Sequence, residues 1–280
     1  MSKLRTLSLF SGIGGIELGL ERAGGFETVG FCEIDKHCHK ILSQHWPEVP
    51  IFTDVNTLSR KDIPEGVDVI TGGFPCTDVS YAGNAKGLFD ENGNRTRSGL
   101  WKEYARIIDE FRPRFCIIEN VGYLRKNGLG IVLADLARIG YDAEWHTITA
   151  DSAGYPHQRE RLFIISYPRG QRFNGNFGEG RFVQADEERS NSPLDSERQE
   201  CEPEFGEVRK ILSRGTFDRI RSSYPDERAH VSSVRRVTNG VPSKLDESKR
   251  KQRIKQLGNA VVPRIAEIIG KAIMENLEQK

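Results

Sequence analysis

No apolar run in this 280-residue chain approaches the roughly 20 residues that a membrane-spanning helix needs. The opening Met1-Ser2-Lys3-Leu4-Arg5 runs straight into a candidate strand and lacks the apolar stretch of a secretory signal peptide. The five cysteines (Cys32, Cys38, Cys76, Cys116 and Cys201) contain no CxxC pair and are odd in number, so neither a zinc site nor a disulfide framework is indicated. No internal repeat is visible. These absences predict a protein of the reducing cytoplasm, without a metal and away from membranes, in which a thiol stays free to react. What remains is a chain long enough for one large or two unequal domains with a real core.

One-signed charge is missing overall but not locally. Residues 1–167 carry 19 Lys and Arg against 22 Asp and Glu, a net of −3, and residues 168–206 carry 5 against 9, a net of −4. Residues 207–257 carry 14 against 6, a net of +8, which is where a phosphate backbone would be met. A solvated surface would show the same run, so the charge alone assigns nothing.

The first 167 residues alternate apolar strands with amphipathic helices. Strands are predicted at 5–10, 27–33, 67–71, 115–119, 141–149 and 161–166, with a Gly72-Gly73 turn after the third. Helices are predicted at 15–23, 36–45, 98–111 and 129–139, which together make an α/β domain around a mostly parallel sheet. Residues 168–206 are rich in Gly, Asn, Ser, Arg and Glu and nearly free of aliphatics, and read as a mobile loop or unstructured insertion. A last helix from Pro263 to about Leu277 has an apolar face of Ile265, Ile268, Ile269, Ala272 and Ile273.

Cys76 follows strand, Gly72-Gly73, Phe74 and Pro75, at a strand-to-loop junction that presents it to a cleft. The strand Phe115-Cys116-Ile117-Ile118 ends in Glu119-Asn120-Val121. Ligands of a doubly wound sheet sit at the carboxyl ends of the strands, so Cys76 and Glu119 can share one cleft. A thiol beside a carboxyl acid is minimum equipment for covalent attack on an electron-poor ring. Ser8-Leu9-Phe10-Ser11-Gly12-Ile13-Gly14-Gly15 reads as strand, glycine turn and helix, where Gly12 and Gly14 let backbone approach a ligand. The next strand ends at Glu33, placed for a ribose diol, and Asp54-Val55 is placed for an adenine amine. That series suggests an adenosine cofactor without a pyrophosphate cradle, although a purely structural Rossmann-like domain could carry the same turn. Cys116 reads as core, and His37 and His39 as helix surface.

Six segments then occur in one order: Leu9-Phe10-Ser11-Gly12-Ile13-Gly14-Gly15, Glu33-Ile34-Asp35, Gly73-Phe74-Pro75-Cys76, Glu119-Asn120-Val121, Gln158-Arg159-Glu160-Arg161 and Leu257-Gly258-Asn259-Ala260-Val261-Val262-Pro263. With them the chain resembles the DNA cytosine-5 methyltransferases of bacterial and phage type. The resemblance covers 1–167 and 257–280. It implies an α/β, Rossmann-like S-adenosylmethionine-dependent methyltransferase domain over 1–167. A small, reduced target-recognition region would occupy 168–256, and the C-terminal helix of 257–280 would return to the first domain.

The same resemblance implies roles. Cys76 would attack C6 of a cytosine flipped out of double-stranded DNA, Glu119 would offset charge developing on the ring, and Arg159 and Arg161 would line the cytosine pocket. S-adenosyl-L-methionine would lie against Phe10, Gly12, Gly14, Glu33, Ile34, Asp54, Val55, Pro75 and Leu100, with Asn259 and Ala260 closing over it. Thr77, Ser80, Arg235 and Arg236 would meet DNA. A cognate restriction endonuclease acting on the same site and a monomeric state complete the expectation. Thr77 departs from the family's usual glutamine after the cysteine, and the short variable region departs from the usual many-stranded one. An RNA methyltransferase of the same fold, or a catalytically weak DNA-binding regulatory module, are the alternatives.

Overall fold

The computed structural model describes residues 2–75, 100–153, 155, 159–170 and 260–278. Seven strands form one sheet: β1 Leu4–Leu9, β2 Phe26–Cys32, β3 Ile51–Phe52, β4 Val69–Gly73, β5 Phe115–Val121, β6 Tyr141–Thr149 and β7 Glu160–Pro168. Six α-helices flank it: α1 Gly15–Ala23, α2 Lys36–His45, α3 Trp101–Phe111, α4 Leu124–Asn127, α5 Leu129–Arg138 and α6 Pro263–Glu278. The strand order is β3-β2-β1-β4-β5-β7-β6. β1 to β5 pair in parallel, whereas β7 runs antiparallel to both β5 and β6.

That order places the switch point between β1 and β4, because the chain moves outward from β1 in one direction through β2 and β3 and in the other through β4 and β5. Open α/β sheets bind ligands in the crevice at such a point, beyond the carboxyl ends of the strands. The glycine turn leaves β1 there, and Phe74-Pro75 leaves β4 beside it. Buried residues divide between the two faces of the sheet. Leu7, Leu9, Ile70, Cys116 and Ile118 meet Trp101, Tyr104 and Ile108 of α3 on one face. Ile16, Leu20, Val69, Phe115 and Ile117 meet Ile265, Ile268, Ile269 and Ile273 of α6 on the other.

Most elements match their predicted positions, and the differences have physical causes. Gly72 and Gly73 are not a turn: they are the last residues of β4, paired with Leu9 on one side and with Ile118 and Glu119 on the other. A Cβ on Gly72, whose φ is +143°, would run into the carbonyl of Leu9, so glycine is what lets the strand continue there. β3 is only two residues long, too short to show a period. Expected strand β7 is longer than 161–166 because its ends hydrogen-bond to β6 and not because they are apolar. α3 is described from Trp101, and the expected 98–99 lie outside the described residues. So does the expected loop of 168–206, apart from 168–170.

α6 packs along α1 at close range. Added Cβ atoms on Gly15 and Gly19 would strike the main-chain carbonyls of Val261 and Pro263, and one on Gly270 would come within 2.8 Å of the Ala23 Cβ. The close approach requires glycine at these positions. Gly19→Val is expected to lower stability by about 2–3 kcal/mol, the upper range for overpacking, read as a reduced denaturation midpoint at unchanged denaturant dependence. Among the described residues no helix is long and apolar enough to cross a membrane, and no cluster of three metal-ligating side chains occurs.

Candidate active site

The glycine turn is tied to the end of β2 by one carboxylate. Glu33 Oε2 accepts the Gly12 N–H at 2.7 Å and Oε1 accepts the Asp35 N–H at 2.8 Å. Asp35 then caps α2 by accepting the His37 N–H at 2.8 Å. His39, one turn on, is half-buried and not simply helix surface: its Nε2 reaches the Glu33 carbonyl at 2.6 Å. The segment is thus held by both its main chain and its side chain, and between these anchors Ile34 stands 81% exposed. An aliphatic side chain presented to solvent on a fixed backbone is suited to pack on a flat ligand. Asp54 is also exposed, its carboxylate taken by the N–H of Asn56 at 2.9 Å, which lowers its pKa; Val55 is buried in the core.

Phe10 sits between β1 and the glycine turn with φ +54°, a backbone conformation that costs a bulky L-residue energy. Its ring stacks on Tyr104 at 6.3 Å between centroids, Tyr104 on Trp101 at 5.6 Å, and Trp101 tilts against Phe74 at 5.5 Å. One aromatic column therefore supports both the glycine turn and the residue pair that precedes Cys76. Its base is pinned by Trp101 Nε1 donating to Asp135 at 3.0 Å. Leu100, at the start of α3, packs half-buried against the same cluster.

Glu119 lies on the α1 face of β5, directly across from Gly73. A Cβ at Gly73 would collide with the Glu119 carboxylate, so this glycine makes the space the acid occupies. On the other side Glu119 pairs with Phe163, and the antiparallel register puts Arg161 two residues away on the same face. Arg161 Nε meets Glu119 Oε1 at 2.8 Å with the arginine side chain 19% exposed. Burial raises the Glu119 carboxyl to about 6, against the opposing charges of Arg161 and Arg159 and the hydrogen bond from Arg161. A carboxyl so placed carries a proton to near-neutral pH and can give it to a ring nitrogen. Arg161→Leu is expected to push that value above 6, because two of the opposing effects come from Arg161. A titration of the Glu119 carboxyl by infrared or NMR would check it.

Asn120 stands in the Glu119-Asn120-Val121 segment but was given no role from the sequence. It is buried, its Nδ2 donates to the Phe74 carbonyl at 3.0 Å, and its Oδ1 accepts the Val121 N–H at 2.9 Å. It fixes the backbone two residues before Cys76 from a strand 46 residues further on. The adjacency of Asn120 to Glu119 was the only available signal. Cys116 is buried, as read, and so are Cys32 and Cys38; burial pushes the Cys32 thiol up to about 12 and Cys116 higher still, so neither of these two supplies a thiolate.

The structure thus brings Phe10, Gly12, Gly14, Glu33, Ile34, Pro75, Glu119, Arg159 and Arg161 to one edge of the sheet. Ala260 is described just ahead of α6. Cys76, Thr77, Ser80, Arg235, Arg236 and Asn259 lie outside the described residues.

The chain is similar to known proteins in sequence and in fold. The family model described as C-5 cytosine-specific DNA methylase matches residues 4–234. The chain is 37% identical over 164 residues to the type II methyltransferase M.CviJI of Paramecium bursaria Chlorella virus IL3A, covering 58% of this chain and 42% of that protein. It is 34% identical over 171 residues to the type II methyltransferase M2.BsuMI of Bacillus subtilis, covering 58% of this chain and 42% of that protein. The chain therefore spans less than half the length of these curated relatives. The solved structure of a DNMT2 mutant from Spodoptera frugiperda superposes with a TM-score of 0.52 at 18% identity, over 63% of this chain and 54% of that one, and supports the fold. With the matched segment taking in β1 to β7, the glycine turn and the Glu119–Arg161 pair, the chain belongs to the C-5 cytosine-specific DNA methylase family.

Proposed function

We propose that this protein transfers a methyl group from S-adenosylmethionine to C5 of a cytosine flipped out of a specific double-stranded DNA sequence, through a covalent bond between Cys76 and C6. The observation that carries the reading is the buried Glu119, raised to about 6 and held by Arg161 beside the end of the strand that leads to Cys76. The chain divides, on this reading, into a catalytic and cofactor-binding part at 1–167, a target-recognition region at 168–256 and a C-terminal helix at 257–280 that completes the first part. It would work as a cytoplasmic monomer, in a restriction–modification setting with an endonuclease that cuts the same site.

The residues present fit the cofactor. The glycine turn offers close backbone approach, Glu33 keeps acceptor lone pairs for a diol, Ile34 is exposed for a purine face, and Phe10 is held in a strained conformation at the turn. Pro75 and Leu100 would line the methionine side, and Asn259 and Ala260 would close the site. When bound, S-adenosylmethionine supplies the methyl group as an electrophile. The remaining chemistry belongs to the chain. The Cys76 thiolate forms the Sγ–C6 bond while Glu119 gives its proton to N3, so the electrons of C5=C6 become available at C5 without leaving a full negative charge on the ring. Arg161 holds Glu119 in place, and Arg159 adds positive charge that favours the thiolate and the pyrimidine oxygen. After C5 has gained its methyl group, the C5 proton passes to a base, the Sγ–C6 bond breaks to release the thiolate, and N3 returns its proton to Glu119, which restores the ring and the acid. Thr77 and Ser80 would meet the DNA beside the flipped base, and Arg235 and Arg236 its phosphates.

A duplex library containing 5-fluorocytosine tests this reading, since fluorine at C5 cannot leave as a proton. A complex stable to denaturation that forms only with S-adenosylmethionine is expected. Cofactor binding without any such complex, on DNA of sufficient sequence variety, would contradict it.

A further inference from the structure

Glu17 is a carboxyl for which the chemistry above has no use. It lies in the first turn of α1, 1% exposed, on the sheet face that α1 and α6 cover. Its Oε1 accepts the Thr71 hydroxyl at 2.6 Å, which ties the first turn of α1, directly behind the glycine turn, to β4. Ser8 and Thr71 are register partners on β1 and β4. Ser8 Oγ in turn donates to Ser11 Oγ at 2.8 Å, and Ser11 opens the glycine turn, with its own hydroxyl also bonded to the Ser8 carbonyl at 3.1 Å. Thr71 stands two residues before Gly73, the partner of Glu119. Two links therefore meet at the switch point: Ser8 with Ser11 holds the glycine turn to β1, and Glu17 with Thr71 holds the helix behind that turn to the strand that carries Glu119's neighbour and leads to Cys76.

Such an arrangement is costly. An apolar side chain of similar volume would fill the same place between α1 and the sheet without polar partners. Burial raises the pKa of Glu17. The carboxyl joins the helix that follows the glycine turn to the strand on the other side of the switch point.

We propose that Glu17 is a positioning residue for the methyl transfer: bonded to Thr71, it sets the spacing of the cofactor turn against the strand that leads to the nucleophile. The proposal rests on the methyltransferase reading. Glu17 touches neither substrate nor cofactor and acts through α1 and the glycine turn on one side and Thr71 and Gly73 on the other.

The test uses the full chain with Glu17→Leu, Glu17→Gln, Thr71→Val and the double variant Glu17→Leu with Thr71→Val. Two quantities are read: the affinity for S-adenosylmethionine by calorimetry, and single-turnover methyl transfer to mixed-sequence DNA at saturating cofactor. Glu17→Leu is expected to lose about tenfold in each, the order of one buried hydrogen bond, with no fall in melting temperature. Glu17→Gln, which keeps shape and an acceptor oxygen for the Thr71 hydroxyl, should stay within about threefold of the parent. Thr71→Val should match Glu17→Leu, and the double variant should be no worse than either. A folded Glu17→Leu with parental affinity and rate would overturn the proposal, as would Glu17→Gln being impaired as much as Glu17→Leu. If Glu17→Leu does not fold, Thr71→Val decides on the same two readings. A parent chain that binds cofactor but never methylates DNA would sink the methyltransferase reading, and the affinity measurements would then settle Glu17 alone.

Discussion

Cys76→Ser is expected to bind S-adenosylmethionine as the parent does and to transfer no detectable methyl group. A serine hydroxyl ionises far less readily than a thiol. Without an Sγ–C6 bond, C5 stays a poor nucleophile, and the loss should exceed about 10³-fold, as for removal of other essential nucleophiles. Cofactor affinity should be untouched, because the glycine turn and Glu33 are fixed by their own hydrogen bonds to the end of β2. Calorimetry beside a radiolabelled-methyl transfer assay separates the two quantities. Residual transfer near the parental rate would mean that Cys76 is not the nucleophile.

Glu119→Gln carries the second large effect, a loss of about 10²–10³-fold in single-turnover transfer, the scale of removing a general acid that also stabilises developing charge. The pH dependence gives the sharper reading. The Glu119 carboxyl is raised from 4.5 to about 6, so it is neutral below that value and ionised above it. At a fixed thiolate fraction of Cys76, the parental rate should therefore fall as pH rises through about 6. Glu119→Gln should lack that limb, since an amide does not titrate. A limb of the same midpoint in both proteins would assign it to another group.

The parts of this fold that were legible in the sequence are those with local patterns. β6, α1 and α2 have the predicted bounds because period and turn chemistry agree there, as at Asp35, which stands before α2 and does cap it. The parts that were not legible depend on contacts across the chain. Nothing near Asn120 says that its amide will bond the Phe74 carbonyl, and nothing near His39 says that its ring will reach back to Glu33. Gly72 and Gly73 look like a turn in sequence, and only the pairing of β4 with β1 and β5 shows that they are glycine because Leu9 and Glu119 lie so close. Arg161 reads alone as a surface charge. It becomes the partner of Glu119 through the antiparallel register of β7, which no local period encodes.

The central claim is methyl transfer to cytosine C5 in DNA, and bisulfite sequencing of plasmid recovered from cells that express the chain tests it most directly, with Cys76→Ser as the control. Protected cytosines at one short motif, absent with Cys76→Ser, are the expected result. Uniform conversion of cytosine in both plasmids, from cells shown to contain folded protein able to bind S-adenosylmethionine, would contradict it.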